Sequence, residues 1–142
     1  MNEKIPRIVI FSVIALLFLS IVFMLLYFSL FPLAPHFDMP GWGSAKEVTI
    51  SRNGMETRLS PERKTMFTTI FWEMEPTRIP SDNDTPTGVD NYYYVHFISD
   101  EEDIRFYIYQ IRDKYYMEFP YVGIYETNEY AYETVSQCFI VS

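Results

Sequence analysis

The chain has 142 residues, 49% of them hydrophobic and 18% aromatic, and 11 Lys+Arg against 19 Asp+Glu give it a net charge of −8. A field of that sign argues against nucleic acid and anionic headgroups as partners and favours cationic ligands. The sequence contains 1 cysteine, Cys138, so it forms no intramolecular disulfide, a usage ordinary for a Gram-positive cell-surface protein.

Lys4 and Arg7 precede an unbroken apolar run from Ile8 to Phe31, in which Ser12, Ser20, Tyr27 and Ser29 are the only polar members. About 20 apolar residues cross a hydrocarbon core of roughly 30 Å. Residues 8–31 are therefore expected to form a transmembrane helix in the bilayer, after a cytoplasmic tail of residues 1–7. The competing reading is a cleaved signal peptide, whose apolar core is about 7–15 residues long and ends at a small-x-small site. Here the run is longer and Pro35 follows the candidate Ala34, which favours an uncleaved anchor. Lys4 and Arg7 on one side, and Asp38 ahead of the first basic residue Lys46 on the other, orient the N-terminus to the cytoplasm and the remainder outside. Lys4, Arg7 and Glu3 are the only charged side chains before His36; taking them from the totals of 11 and 19 leaves nine basic against eighteen acidic, near −9.

Residues 32–45, with Pro32, Pro35, Pro40, Gly41 and Gly43, predict a semi-extended stalk in which Phe37 and Trp42 lie against the headgroups or Trp42 packs on the domain. Residues 46–142 then predict one compact α+β domain, with a first strand over Glu47–Ser51 and a turn at Asn53-Gly54. Ser60-Pro61-Glu62 starts a helix whose apolar stripe is Met66, Phe67, Ile70, Phe71 and Met74, with Pro76 as its stop. The threonines at 65, 68 and 69 leave a strand open here, and Trp72 lies off the stripe. Residues 77–91 form a polar loop long enough to be functional or mobile. Strands follow over Tyr92–Ser99, Ile104–Ile111 and Tyr115–Phe119, joined by connections short enough for antiparallel hairpins. Pro120 and Gly123 end the last of them. Thr127 or Asn128 caps a final helix carrying Ala131, Val135, Cys138 and Phe139 on its apolar side. The expected order is an N-terminal transmembrane helix followed by β-α-β-β-β-α with an antiparallel sheet.

Of the 12 tyrosines, all but Tyr27 lie between Tyr92 and Tyr132. Alternation assigns Val95, Phe97, Ile104, Phe106, Ile108, Met117 and Phe119 to the core side of the sheet. The opposite side receives Tyr92, Tyr94, His96, Arg105, Tyr107, Tyr109, Tyr116 and Glu118. Tyrosine combines large apolar area with a hydroxyl that tolerates water, so Tyr92, Tyr94, His96, Arg105, Tyr107, Tyr109 and Tyr116 are the candidate binding residues. The plainer account is that tyrosine suits half-exposed strands, where cross-strand aromatic pairs contribute about 0.2–1 kcal/mol each.

Catalytic chemistry finds little footing. His36, His96 and Cys138 are too few for a four-ligand zinc site, and Cys138 sits on an apolar helix stripe where a thiol is inert. The loop Asp82-Asn83-Asp84-Thr85-Pro86-Thr87-Gly88-Val89-Asp90 departs from the calcium-loop pattern at Pro86, Gly88 and Tyr93, which leaves at most an irregular, weak calcium loop. No metal and no cofactor is expected.

Phe106-Tyr-Ile-Tyr and Lys114-Tyr-Tyr-Met-Glu-Phe-Pro-Tyr-Val-Gly-Ile-Tyr, behind an apolar N-terminus, resemble small Gram-positive surface proteins, membrane-anchored or lipoprotein-like, catalogued as a domain of unknown function. The resemblance runs from about Lys46 to the C-terminus and implies no activity. This chain lacks the lipobox cysteine of the lipoprotein-like members. The expectation is a single-pass cell-membrane protein whose outer domain is a non-enzymatic protein- or peptide-binding module for a partner of positive charge, an immunity-type role included. An accessory or regulatory subunit acting through its membrane helix is the alternative.

Overall fold

The computed structural model describes residues 7–37, 45–67, 70 and 74–140. Lys4, Trp42, Phe71 and Trp72, and the side chains of Met66 and Phe67, all named above, lie outside the described residues. The chain divides into two units, residues 1–32 and 33–142.

The first unit contains α1, Arg7–Leu30. Its Ile8–Leu30 segment has a mean hydropathy of 3.1 and none of its apolar window is buried within the protein, so it is long and apolar enough to cross a membrane; a signal sequence has the same character. The Ser12 and Ser20 hydroxyls donate back to the carbonyls of Ile8 (2.9 Å) and Leu17 (2.7 Å). Hydroxyls satisfied inside the helix are what a hydrocarbon environment requires.

The second unit is α+β. Strands β1 (Glu47–Arg52) and β2 (Met55–Arg58) form a hairpin, followed by the short helix α2 (Pro61–Phe67) and the two-residue strand β3 (Glu75–Pro76). The meander β4 (Tyr92–Ile98), β5 (Asp103–Ile111), β6 (Lys114–Phe119) and β7 (Gly123–Thr127) leads into α3 (Glu129–Ile140). All pairings are antiparallel, in the order β2-β1-β4-β5-β6-β7-β3.

Three of these strands are absent from the sequence-based order. Strand β2 follows Asn53-Gly54, whose positive φ values of 51° and 78° suit the tight hairpin turn that joins it to β1. Its four residues are nearly all exposed and carry little apolar signal. Strand β7 is the return arm of a hairpin after Pro120, closed by a bond from the Val122 amide to the Phe119 carbonyl at 3.0 Å. Strand β3 corrects the role given to Pro76: the proline does not stop a long helix, because α2 ends at Phe67 and Pro76 pairs with Tyr125 in an edge strand. An edge is where a sheet tolerates a residue that cannot donate.

The helices pack on one face of the sheet. Val48, Ile50, Val95, Phe97, Phe106, Ile108, Met117 and Phe119 are buried there with Ile70, Tyr93, Tyr125, Ala131, Val135 and Cys138. Asn128 caps α3 as expected, its Oδ1 accepting from the Ala131 amide at 2.8 Å. At the other end of α3, Arg63 of α2 donates to the Cys138 carbonyl at 3.3 Å, a favourable place for a cation.

Residues Leu33–Phe37 of the expected stalk are held on the second unit. The Ala34 amide bonds to the Thr77 carbonyl (2.8 Å), Tyr125 donates to the Pro35 carbonyl (2.6 Å), and the Phe37 ring lies 4.2 Å from that of Phe119. Gly123 makes this approach possible, since a Cβ there would meet Ala34 Cβ at 2.5 Å and its Cα at 3.3 Å. Gly123→Ala is therefore expected to lower domain stability by about 1–3 kcal/mol, as overpacking does. A thermal-denaturation midpoint equal to that of the wild type would show that the segment does not rest there.

Candidate functional site

The face turned away from the helices has two well-defined cross-strand rows. One runs Ser51, Tyr94, Tyr107, Glu118, Ile124 across β1, β4, β5, β6 and β7. The next runs Tyr92, Tyr109, Tyr116, Glu126, Glu75 across β4 to β3. His96 pairs with Arg105 beside them, so all seven candidate residues share one face in the expected register. Ring centroids are 5.1 Å apart for Tyr92–Tyr107, 5.2 Å for Tyr94–Tyr107 and 5.8 Å for Tyr109–Tyr116.

The face is not uniformly open. Tyr107 and Tyr109 retain only 8% and 3% of their exposure, while Tyr92, Tyr94, His96 and Tyr116 are half-buried and Arg105 is exposed. The cover is the loop 77–91. Its start is fixed by Thr77, whose amide and hydroxyl both donate to the Ile124 carbonyl (3.0 and 2.7 Å). Its middle is pinned by Ser81, which donates to Glu118 Oε1 at 2.7 Å. Tyr109 donates to the other oxygen, Oε2, at 2.9 Å. Glu118 is itself only 4% exposed. Burial, reinforced by the adjacent Glu118 charge and the bond to it, pushes the Tyr109 phenol far above its ordinary value.

The loop divides the face into two concavities. The larger, of about 650 Å³, is an open groove whose lining includes Tyr92, Tyr94, Tyr107, Asp84, Asp103, Arg105, Tyr121 and Val122. Asp103 is its charged centre. It receives Arg105 Nε at 3.1 Å and Nη2 at 3.2 Å, and contacts His96 Nε2 at 2.8 Å. Those bonds, first from Arg105 and then from His96, hold the Asp103 carboxyl below the usual range. Burial raises the phenols of Tyr94 and Tyr107, and a hydrogen bond to Asp84 raises that of Tyr121. The smaller concavity, of about 370 Å³, lies under the first half of the loop against Tyr109, Tyr116 and Glu118.

The positions of Asp84 and Tyr121, in a loop and at a positive-φ turn residue (61°), carry no periodicity that would have assigned them to this groove. Nor does the sequence single out Arg52, whose guanidinium lies 4.5 Å over the Tyr93 ring and bonds to its hydroxyl, or Ser136, which accepts from that hydroxyl at 2.9 Å. Among the described residues no group of three His, Cys, Asp or Glu side chains converges to hold a metal ion. Cys138 is buried, and that burial pushes its thiol up.

Comparison with known proteins adds a family and a fold. The family DUF5301, described as a domain of unknown function (DUF5300), matches residues 35–126. A solved structure, an NMR structure of a protein from Ruminococcus gnavus, is 20% identical, covers 63% of this chain and 89% of that one, and superposes with a TM-score of 0.50. That likeness concerns the fold alone. No curated protein matches the chain.

The upward shift of Tyr109 has a direct consequence. A phenol that ionises less readily folded than unfolded stabilises the fold fully below pH about 10, and that contribution is lost as the pH rises beyond it. Tyr109→Phe is expected to lose about 1 kcal/mol at neutral pH and to show a shallower decline of stability above pH about 10. Denaturant titrations at successive pH values measure both, and an unchanged alkaline slope contradicts the assignment.

Proposed function

The chain belongs to the DUF5301 family of unknown function, and from that premise we propose a membrane-tethered, non-enzymatic module whose domain lies outside the cytoplasm and binds a cationic protein or peptide segment. The observation that carries this reading is the open groove of about 650 Å³ on the tyrosine face. Pockets of roughly 300–1,000 Å³ suit ligand groups, and the aromatic walls offer apolar area that tolerates water. Arg105 is already paired with Asp103, while Asp84 stands at the loop side of the groove, so the local balance favours positive charge. The excess of acid over base in the sequence after His36 acts in the same sense at longer range.

A non-enzymatic role is supported by the groove's chemistry. Its described lining has no serine, threonine or cysteine to act as nucleophile, and His96 is engaged by Asp103 at its margin. Tethering is supported by α1, which is long and apolar enough to span a membrane.

Two measurements test the proposal. The buried Cys138 makes the natural chain a near-silent background for thiol labelling. A Glu101→Cys variant, placed in the exposed β4–β5 connection, is expected to react with a membrane-impermeant maleimide on intact cells, and reaction only after lysis would reverse the orientation. The full chain in zwitterionic nanodiscs is expected to bind a Lys/Arg-rich peptide in preference to an acidic one of equal length, with affinity falling as salt rises. A Tyr94→Ser, Tyr121→Ser double variant should weaken that binding at least tenfold, by about 1.4 kcal/mol or more. Unchanged binding would remove the groove as the site.

A further inference from the structure

The smaller concavity shares no described lining residue with the groove, and its floor is unusual. Glu118 lines it, and an ionised carboxylate offers roughly four acceptor sites. Ser81 and Tyr109 each fill one, at 2.7 and 2.9 Å, and both donors are neutral hydroxyls. Among the described residues no Lys or Arg lines the cavity or bonds to Glu118. A carboxylate so far removed from water is costly unless a positive charge meets it. Beside it stand the rings of Tyr109 and Tyr116, 5.8 Å apart, whose faces attract cations. Ile79 and Pro80 of the loop supply an apolar wall opposite.

We propose that this cavity is a binding site for an organic ammonium group, seated between the Glu118 carboxylate and the Tyr109 and Tyr116 rings. Three features select that chemistry. A hard metal ion needs several converging oxygen ligands, whereas the two carboxylates of the lining, buried Glu118 and exposed Asp82, belong to no group of three metal-ligating side chains among the described residues, and each Glu118 oxygen already accepts a hydroxyl. A guanidinium binds best with both carboxylate oxygens free, but each oxygen of Glu118 already accepts a hydroxyl. An ammonium is a compact charge whose three donors can be shared between the open acceptor sites of Glu118, the ring faces and the oxygens of Asp82, Asn83 and Thr87 in the lining, and a volume of about 370 Å³ suits a group of side-chain size. The ammonium comes either from a free amine or from a lysine side chain of a bound peptide. The inference stands apart from the groove reading, because different residues carry it.

The test uses the full chain in detergent micelles, titrated with n-butylammonium, with n-butanol as its neutral counterpart, with potassium chloride at matched ionic strength, and with a peptide bearing one lysine. n-Butylammonium is expected to bind saturably, to give intermolecular nuclear Overhauser contacts to the Tyr109 and Tyr116 rings, and to bind at least tenfold more weakly to Glu118→Gln. Tighter binding of the lysine peptide identifies the side chain as the natural source, and tighter binding of the free amine identifies a small molecule. Equal binding of n-butanol, an equal response to potassium chloride, or unaltered affinity in Glu118→Gln overturns the proposal. So does the absence of ring contacts in the wild type, a readout that stands even if Glu118→Gln does not fold. The Tyr94→Ser, Tyr121→Ser variant should keep n-butylammonium binding, which separates failure of this site from failure of the groove.

Discussion

Strand β3 lies at the edge of the sheet opposite β2 and runs in the same direction as β4, from which β5, β6 and β7 separate it. The chain must therefore cross the sheet between them, over about 19 Å at the usual spacing of strands. One face is occupied by the helices and the core, so the crossing takes the other. Parallel strands need a connection of a dozen or more residues, which accounts for the length of the loop 77–91. Between β2 and β3 in sequence, α2 contacts α3 and Ile70 is buried in the core, on the face opposite the loop.

The organisation of the tyrosine face follows from that crossing. Where the loop passes, Tyr107, Tyr109 and Glu118 lose their water, and the polar groups beneath must find partners in the loop or in each other. Ser81 and Tyr109 supply them for Glu118. Where the loop has passed, Tyr92 and Tyr94 remain half-buried on the groove, with the exposed Arg105 beside them. One strand register thus yields two environments: a dry carboxylate against aromatic rings, and a wet groove whose charges are paired at Asp103.

Cys138 and His96 are each held by their surroundings. Cys138 is buried on α3, and a thiol kept from water ionises less readily and reacts slowly. His96 contacts Asp103 on the sheet face and lies near no described nucleophile of the groove. What the described surface of the sheet presents is an open groove walled by aromatic side chains, with Asp84 and Asp103 in its lining. The apolar α1, with Ser12 and Ser20 satisfied internally, is long and apolar enough to cross a membrane, a character that a signal sequence shares.

The unbroken apolar run determined the N-terminal helix, and alternation determined the three aromatic strands and their register, because period-two patterning of large residues leaves a strand one way to bury its apolar side; with the helical stripe of α3 these gave the α+β class. The sequence also determined the cap at Asn128 and the side of α3 that meets the sheet, since capping and helical periodicity are local. The short strands β2, β3 and β7 were decided by tertiary structure: four exposed residues, two residues including a proline, and the far arm of a hairpin acquire strand character only from the neighbour that hydrogen-bonds them. The fate of the tyrosine face was decided there too. Whether Tyr109 meets water or a loop depends on which edge β3 joins, and that choice rests on bonds from the Thr77 amide and hydroxyl to the Ile124 carbonyl, which no periodicity of the sequence announces.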